Sequence, residues 1–174
     1  IRNTIGLPVM RQLRELLGHG HAEEYYEKAR EAYNDSLMAG YDARLKAFPG
    51  VAEGLRELQA LGKRLAVVTS RRRGSLEKFL NALGIAGRFE LFVTPESTER
   101  HKPDPAPALF AAEKLGVPPE RCVFIGDATF DIECGHAAGM DTVLVSWGGM
   151  DPSGWPVKPG LVVDEFSRLL PDKR

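Results

Sequence analysis

An apolar run that stops at Gly-Asp constrains this chain more than any other stretch: residues 122–139 read CVFIGDATFDIECGHAAG. Cys122, Val123, Phe124 and Ile125 fit a strand buried on both faces, and Gly126 breaks it so that Asp127 stands at its carboxyl end. Asp131 then opens a helix that closes on the small residues Ala137, Ala138 and Gly139. In open α/β sheets, ligands sit in the crevice beyond the carboxyl ends of the strands. Two carboxylates four residues apart at such a point suit a hard cation such as Mg²⁺, which takes oxygen ligands. An N-cap role for Asp131 and plain turn chemistry for Gly126-Asp127 fit the same residues.

The surrounding pattern extends this unit over most of the chain. A helix is expected over 51–61, and then a strand over 65–68 that ends in Thr69-Ser70. A helix over 75–83 and a short strand over 91–93 follow. Asp104 then reads as the N-cap, and Pro105 as the first residue, of a helix reaching 115. Strands over 142–145 and 161–163 complete the series, which predicts a parallel sheet covered by helices. The first forty-odd residues instead lack strand patterning. Ile5, Val9, Leu13 and Leu16 or Leu17 recur at helical spacing, and Tyr26, Ala29, Tyr33 and Leu37 mark one face of a second helix before Gly40. The break at Phe48-Pro49-Gly50 divides a helical lobe, residues 1–47, from an α/β core, residues 48–174.

Composition removes some classes of function. A net charge of −1 leaves no basic footprint for nucleic acid, and no apolar run approaches the length of a membrane span. Cys122 and Cys134 have no metal-like spacing and no wider disulfide framework, so a reducing, cytoplasmic compartment is expected. His19 and His21 read as an exposed interhelical loop, because no further ligand is placed near them. The glycosylation match at Asn34-Asp35-Ser36 falls in mid-helix and reads as chance.

Three strand ends then converge. Thr69-Ser70 offers hydroxyls and backbone N–H groups suited to phosphate oxygens, or a simple cap. Lys102 lies in His101-Lys102-Pro103-Asp104-Pro105, where the prolines stiffen the backbone around an ammonium that can neutralise a phosphoryl group; a merely solvated lysine fits too. Asp127 and Asp131 are the third. Arg71-Arg72-Arg73 suits either steering of anionic substrates or a solvated loop, and Trp147 and Trp155 read as packing.

In this order the pieces VVTS (67–70), HKPDP (101–105), FIGDATFDIECGHAAGM (124–140) and FPGV (48–51) resemble the haloacid dehalogenase superfamily, in its phosphoglycolate phosphatase-like group. The resemblance spans essentially the whole chain. It implies a Rossmann-like three-layer core with a small helical cap, and a Mg²⁺-dependent phosphatase acting on a small phosphorylated metabolite through an aspartyl-phosphate. It further implies that Thr69 and the Ser70 amide bind phosphate and that Lys102 balances charge during catalysis. Asp127 would ligate Mg²⁺, with Asp131 supporting it directly or through water.

One piece departs from the pattern. Family members start with a strand ending in Asp-x-Asp, whose first Asp is the nucleophile, and no such motif precedes Ile1. Asp35 and Asp42 fall in helical lobe or linker, and Asp104 reads as a cap. In the family that strand lies between the VVTS and IGD strands, so an opening is expected there. It would reflect a longer protein, be filled by a partner or a swapped segment in a dimer, or close by direct pairing of its flanks. The rival reading is a non-catalytic relative that binds phosphate or a partner. A phosphomutase of the same superfamily would need a cap acid–base group that the sequence does not identify, and a dehalogenase would not need the metal-site carboxylates.

Overall fold

The computed structural model describes residues 9–38 and 45–170. Ile5, Gly40 and Asp42, and the side chains of Asp35 and Leu37, lie outside what is described. The helical lobe consists of α1 (Val9–Leu17) and α2 (Glu23–Met38). Gly18, at φ +87°, allows the left-handed turn between them, and the hydroxyl of the fully buried Tyr26 donates to its carbonyl. Arg14 lies over the Tyr26 ring and donates to Glu23 Oε1 at 2.7 Å, joining the two helices. Of the predicted apolar face of α2, Tyr26 is buried, whereas Tyr33 is exposed, as are Leu16 and Leu17 on α1. His21 stacks on Tyr25 and meets the Leu17 carbonyl, an interhelical loop role.

The α/β part follows the predicted alternation: α3 (Val51–Ala60), β1 (Ala66–Val68), α4 (Arg73–Ala82), β2 (Leu91–Val93), α5 (Ala106–Leu115), β3 (Val123–Gly126), α6 (Thr129–Ala137), β4 (Asp141–Val145) and β5 (Leu161–Val163). All strand pairs are parallel. Successive residues of a strand face opposite layers, and β1 shows it: Val68 packs against the cluster of Ala108, Ala112, Phe124 and Cys134 below α5 and α6. Val67 packs against Leu55, Leu76, Leu80 and Phe166 on the α3–α4 side. Gly50, at φ +77°, turns the chain into α3, and the Phe166 ring lies where a Gly54 side chain would be. No helix among the described residues is long and apolar enough to cross a membrane.

The strands form two sheets. β1 pairs with β2, and β4 lies between β3 and β5. Among the described residues β1 and β3 do not pair with each other, although Val68 and Phe124 share one apolar cluster and so face the same helical layer. Direct pairing of the flanking strands is therefore not the arrangement seen. The β3 strand also differs from the sequence expectation of burial on both faces. Phe124 is buried, but Val123 and Ile125 are 54% and 43% exposed, because β3 forms an edge and only its Phe124 face is fully covered.

Candidate active site

The carboxyl ends of β1 and β3 point into one region, and Lys102 connects them. Its side chain is 8% exposed; Nζ donates to Asp131 Oδ1 at 2.6 Å and more weakly to the Val68 carbonyl at 3.4 Å. An ammonium has three donors, so one remains for a further acceptor. The loop holding Lys102 is fixed by Asp104, whose Oδ1 accepts the Ala106 N–H at 2.8 Å. Asp104 thus caps α5 from two residues before its first turn.

Beyond β1, the Thr69 N–H continues the ladder to the Val93 carbonyl at 3.0 Å, and Thr69 Oγ1 accepts the Arg71 N–H at 3.1 Å. The Thr69 hydroxyl proton is thereby left to point elsewhere. Thr69, Ser70, Thr94 and Lys102 line the same narrow cavity. Thr94, buried at the carboxyl end of β2, was not singled out in the sequence; as an ordinary strand-end threonine it carries no signal there.

Asp131 does not begin its helix. Because α6 starts at Thr129, Asp131 sits inside the first turn and reaches back: Oδ2 accepts the Asp127 N–H at 3.2 Å and the Ala128 N–H at 3.1 Å. With Oδ1 on Lys102, both oxygens are engaged and the side chain is buried. Asp131 is a positioning residue in this arrangement, and Asp127 is the exposed carboxylate. Gly126 permits the close approach, since a Cβ built there falls 2.5 Å from Asp131 Cγ and Oδ2.

Among the described residues no three His, Cys, Asp or Glu side chains come together as a metal cage. Mg²⁺ does not require one: it keeps several waters and binds through one or two carboxylates plus substrate phosphate. Asp127, beside a committed Asp131, fits that kind of partial site.

Although Asp127 is exposed as a residue, the backbone packed beside its carboxyl group partly removes that group from water and pushes it above the usual carboxylate range, and the Asp131 charge adds to this. An ionised Asp127 therefore opposes folding in metal-free protein, and stability falls as pH rises through its folded pKa. Asp127→Asn is expected to raise the thermal midpoint in EDTA at neutral pH. The gain should shrink as pH falls below the usual Asp range, where both side chains are neutral; differential scanning fluorimetry across pH checks this.

Of the arginine triplet, two members are occupied locally. The Arg71 guanidinium lies 3.8 Å from the Phe79 ring centroid and donates to Ser75 Oγ, while Arg73 donates to the Phe92 carbonyl and to Glu77. Trp147 packs in the core and against Phe48, in keeping with its packing role.

Comparison with known proteins fits this geometry. The model of the haloacid dehalogenase-like hydrolase family matches residues 1–145. The chain is 34% identical over 148 residues to a phosphoglycolate phosphatase of Aquifex aeolicus, covering 85% of this chain and 68% of that one. It is 33% identical over 146 residues to the N-acetylmuramic acid 6-phosphate phosphatase of Pseudomonas aeruginosa, covering 83% and 65%. A crystal structure of β-phosphoglucomutase from Clostridium difficile superposes with a TM-score of 0.82 at 23% identity, over 97% of this chain and 76% of that one, a likeness of fold alone. The chain belongs to the haloacid dehalogenase-like hydrolase family, in its phosphoglycolate phosphatase-like group.

Proposed function

We propose that the protein is a Mg²⁺-dependent phosphatase of small phosphorylated metabolites, working in a reducing, cytoplasmic compartment. The observation that carries this reading is Lys102, whose one ammonium reaches the end of β1 and the start of α6 together. A phosphoryl group seated there would meet the Thr69 hydroxyl and Ser70 amide on one side and the third Lys102 donor on another. Fixed donors around a transferring phosphoryl group act by positioning and by offsetting developing charge. Asp127 would hold the cation, and Asp131 keeps the Asp127 backbone in place through its own hydrogen bonds. Bound Mg²⁺ supplies positive charge to the phosphoryl oxygens.

The attacking group in this reading is an Asp carboxylate on a strand seated between β1 and β3 and parallel to both. Its oxygen bonds to phosphorus as the ester oxygen leaves, and water then cleaves the aspartyl-phosphate. Among the described residues no Asp is placed there: Asp164, the other described Asp directly after a strand, sits at the far edge beside Arg168. The names of the relatives support a phosphomonoester of a small organic acid or sugar as substrate.

The test is hydrolysis of p-nitrophenyl phosphate by purified protein whose intact mass is recorded on the same sample. Turnover that needs Mg²⁺ and disappears in both Asp127→Ala and Lys102→Ala is the expected result for protein heavier than these 174 residues; the 174 residues alone, without the nucleophile, should show none. Phosphate binding detected calorimetrically, with no turnover of that heavier protein at any Mg²⁺ concentration, would make this a non-catalytic relative.

A further inference from the structure

Against Asp127 stands a turn that the proposed chemistry does not use. Ser146–Gly148 form a single 3₁₀ turn directly after β4. A Cβ built at Gly148 falls 3.4 Å from Asp127 Oδ2 and 3.7 Å from Asp127 Cβ, so the turn's backbone lies against that carboxylate. The adjacent Trp147 packs on two apolar clusters, one around Leu55, Leu80 and Phe166 and the other formed by Val143, Val145 and Val163. Its ring also meets Phe48, with centroids 5.6 Å apart and planes inclined at 35°. Phe48 belongs to the segment leading into α3, and its carbonyl accepts the Val51 N–H. A continuous path of contacts therefore runs from the segment joining the lobes, through Trp147 and Gly148, to the exposed carboxylate of the site.

We propose that Trp147 is a positioning residue: anchored on Phe48, it sets where the Gly148 backbone lies and thereby fixes the Asp127 carboxylate, coupling the interlobe segment to the cation site. The proposal rests on the reading of Asp127 as the residue that holds Mg²⁺. The side chain suits the task, because a large rigid indole spans both clusters with only two torsions to order. A methyl group at position 148 would sit in ordinary contact with the carboxylate oxygen, so a branched side chain there, with atoms beyond Cβ, is what would press on it. A purely packing role for Trp147 predicts something different: lost stability with unchanged metal affinity.

Mg²⁺ binding is measured by calorimetry, and also by Trp147 emission in the Trp155→Phe protein, where Trp147 is the single indole. Trp147→Ala and Gly148→Val should each weaken Mg²⁺ binding by about tenfold or more, as disturbance of groups that orient a metal ligand does, while Trp147→Phe stays within about twofold. In Phe48→Ala the Mg²⁺-dependent change in Trp147 emission should vanish. Gly148 is exposed, so its variant decides the matter if Trp147→Ala fails to fold. Unchanged Mg²⁺ affinity in Gly148→Val, or in a folded Trp147→Ala, overturns the proposal. If the parent binds no Mg²⁺, or binds it equally after Asp127→Ala, the cation reading fails and the coupling is judged without metal. Amide exchange over residues 122–131 then rises about tenfold in Phe48→Ala if the path is real. Unchanged exchange overturns it.

Discussion

Asp131→Ala is expected to lower the unfolding free energy at neutral pH by about 3–5 kcal/mol, the range for breaking a buried ion pair on one side. Lys102, 8% exposed, would lose the carboxylate it donates to, and the Asp127 and Ala128 N–H groups would lose their shared acceptor. Asp131→Asn, which keeps an oxygen for those N–H groups but removes the charge, should fall between parent and alanine variant. The double replacement Lys102→Met/Asp131→Leu should cost less than the sum of its two singles, because it leaves no lone buried charge. Urea unfolding of the six proteins, the parent and the two singles of the double included, measures all of this. An alanine variant within about 1 kcal/mol of the parent would show that the pair contributes only as much as an exposed one.

Gly126→Ala should damage stability and site together. The added methyl group would occupy the position of the Asp131 carboxylate, so Asp131 must leave Lys102 or the β3 end must move. Overpacking of this kind costs about 1–3 kcal/mol, and displacement of Asp131 adds part of the ion-pair loss described above. Mg²⁺ binding should be lost with it. Gly74→Ala is the control: a Cβ at that position meets nothing within 4 Å, and the residue lies in α4. There the exchange should be neutral or stabilising by up to about 1 kcal/mol. Equal behaviour of the two variants would rule out a steric role for Gly126.

Much of this was legible in the sequence, for local reasons. Apolar runs that give way to polar residues at Thr69 and Asp127 mark strand ends, because the change of chemistry falls where the strand stops. The four-residue spacing put Asp127 at the end of a strand and Asp131 at the opening of the helix that follows. It did not divide their labour. That division depends on α6 starting at Thr129, which makes Asp131 the third helical residue, reaching back to the Asp127 and Ala128 N–H groups, instead of the N-cap residue itself. Gly126 read as a strand breaker, whereas its further role is to make room for a side chain five positions on. The contact of Trp147 with Phe48 joins residues far apart in the chain, and no local pattern announces it. The exposure of Val123 and Ile125 was equally hidden, since an apolar alternation does not say whether a strand lies at an edge or in the middle of a sheet.

The Phe166 ring lying on Gly54 has a consequence for how the molecule comes into being. Gly54 is in the first helix of the α/β part, and Phe166 in the turn that follows its last strand. A chain emerging from the ribosome can form α3, β1, α4 and β2 early, but the cluster that holds them stays open until Phe166 has been made. Synthesis proceeds at about 5–20 residues per second, so that wait lasts seconds, during which Leu55, Leu76 and Leu80 lack their cover. Long-range closure of this type makes the α/β part complete as one unit rather than in sequence from its amino end.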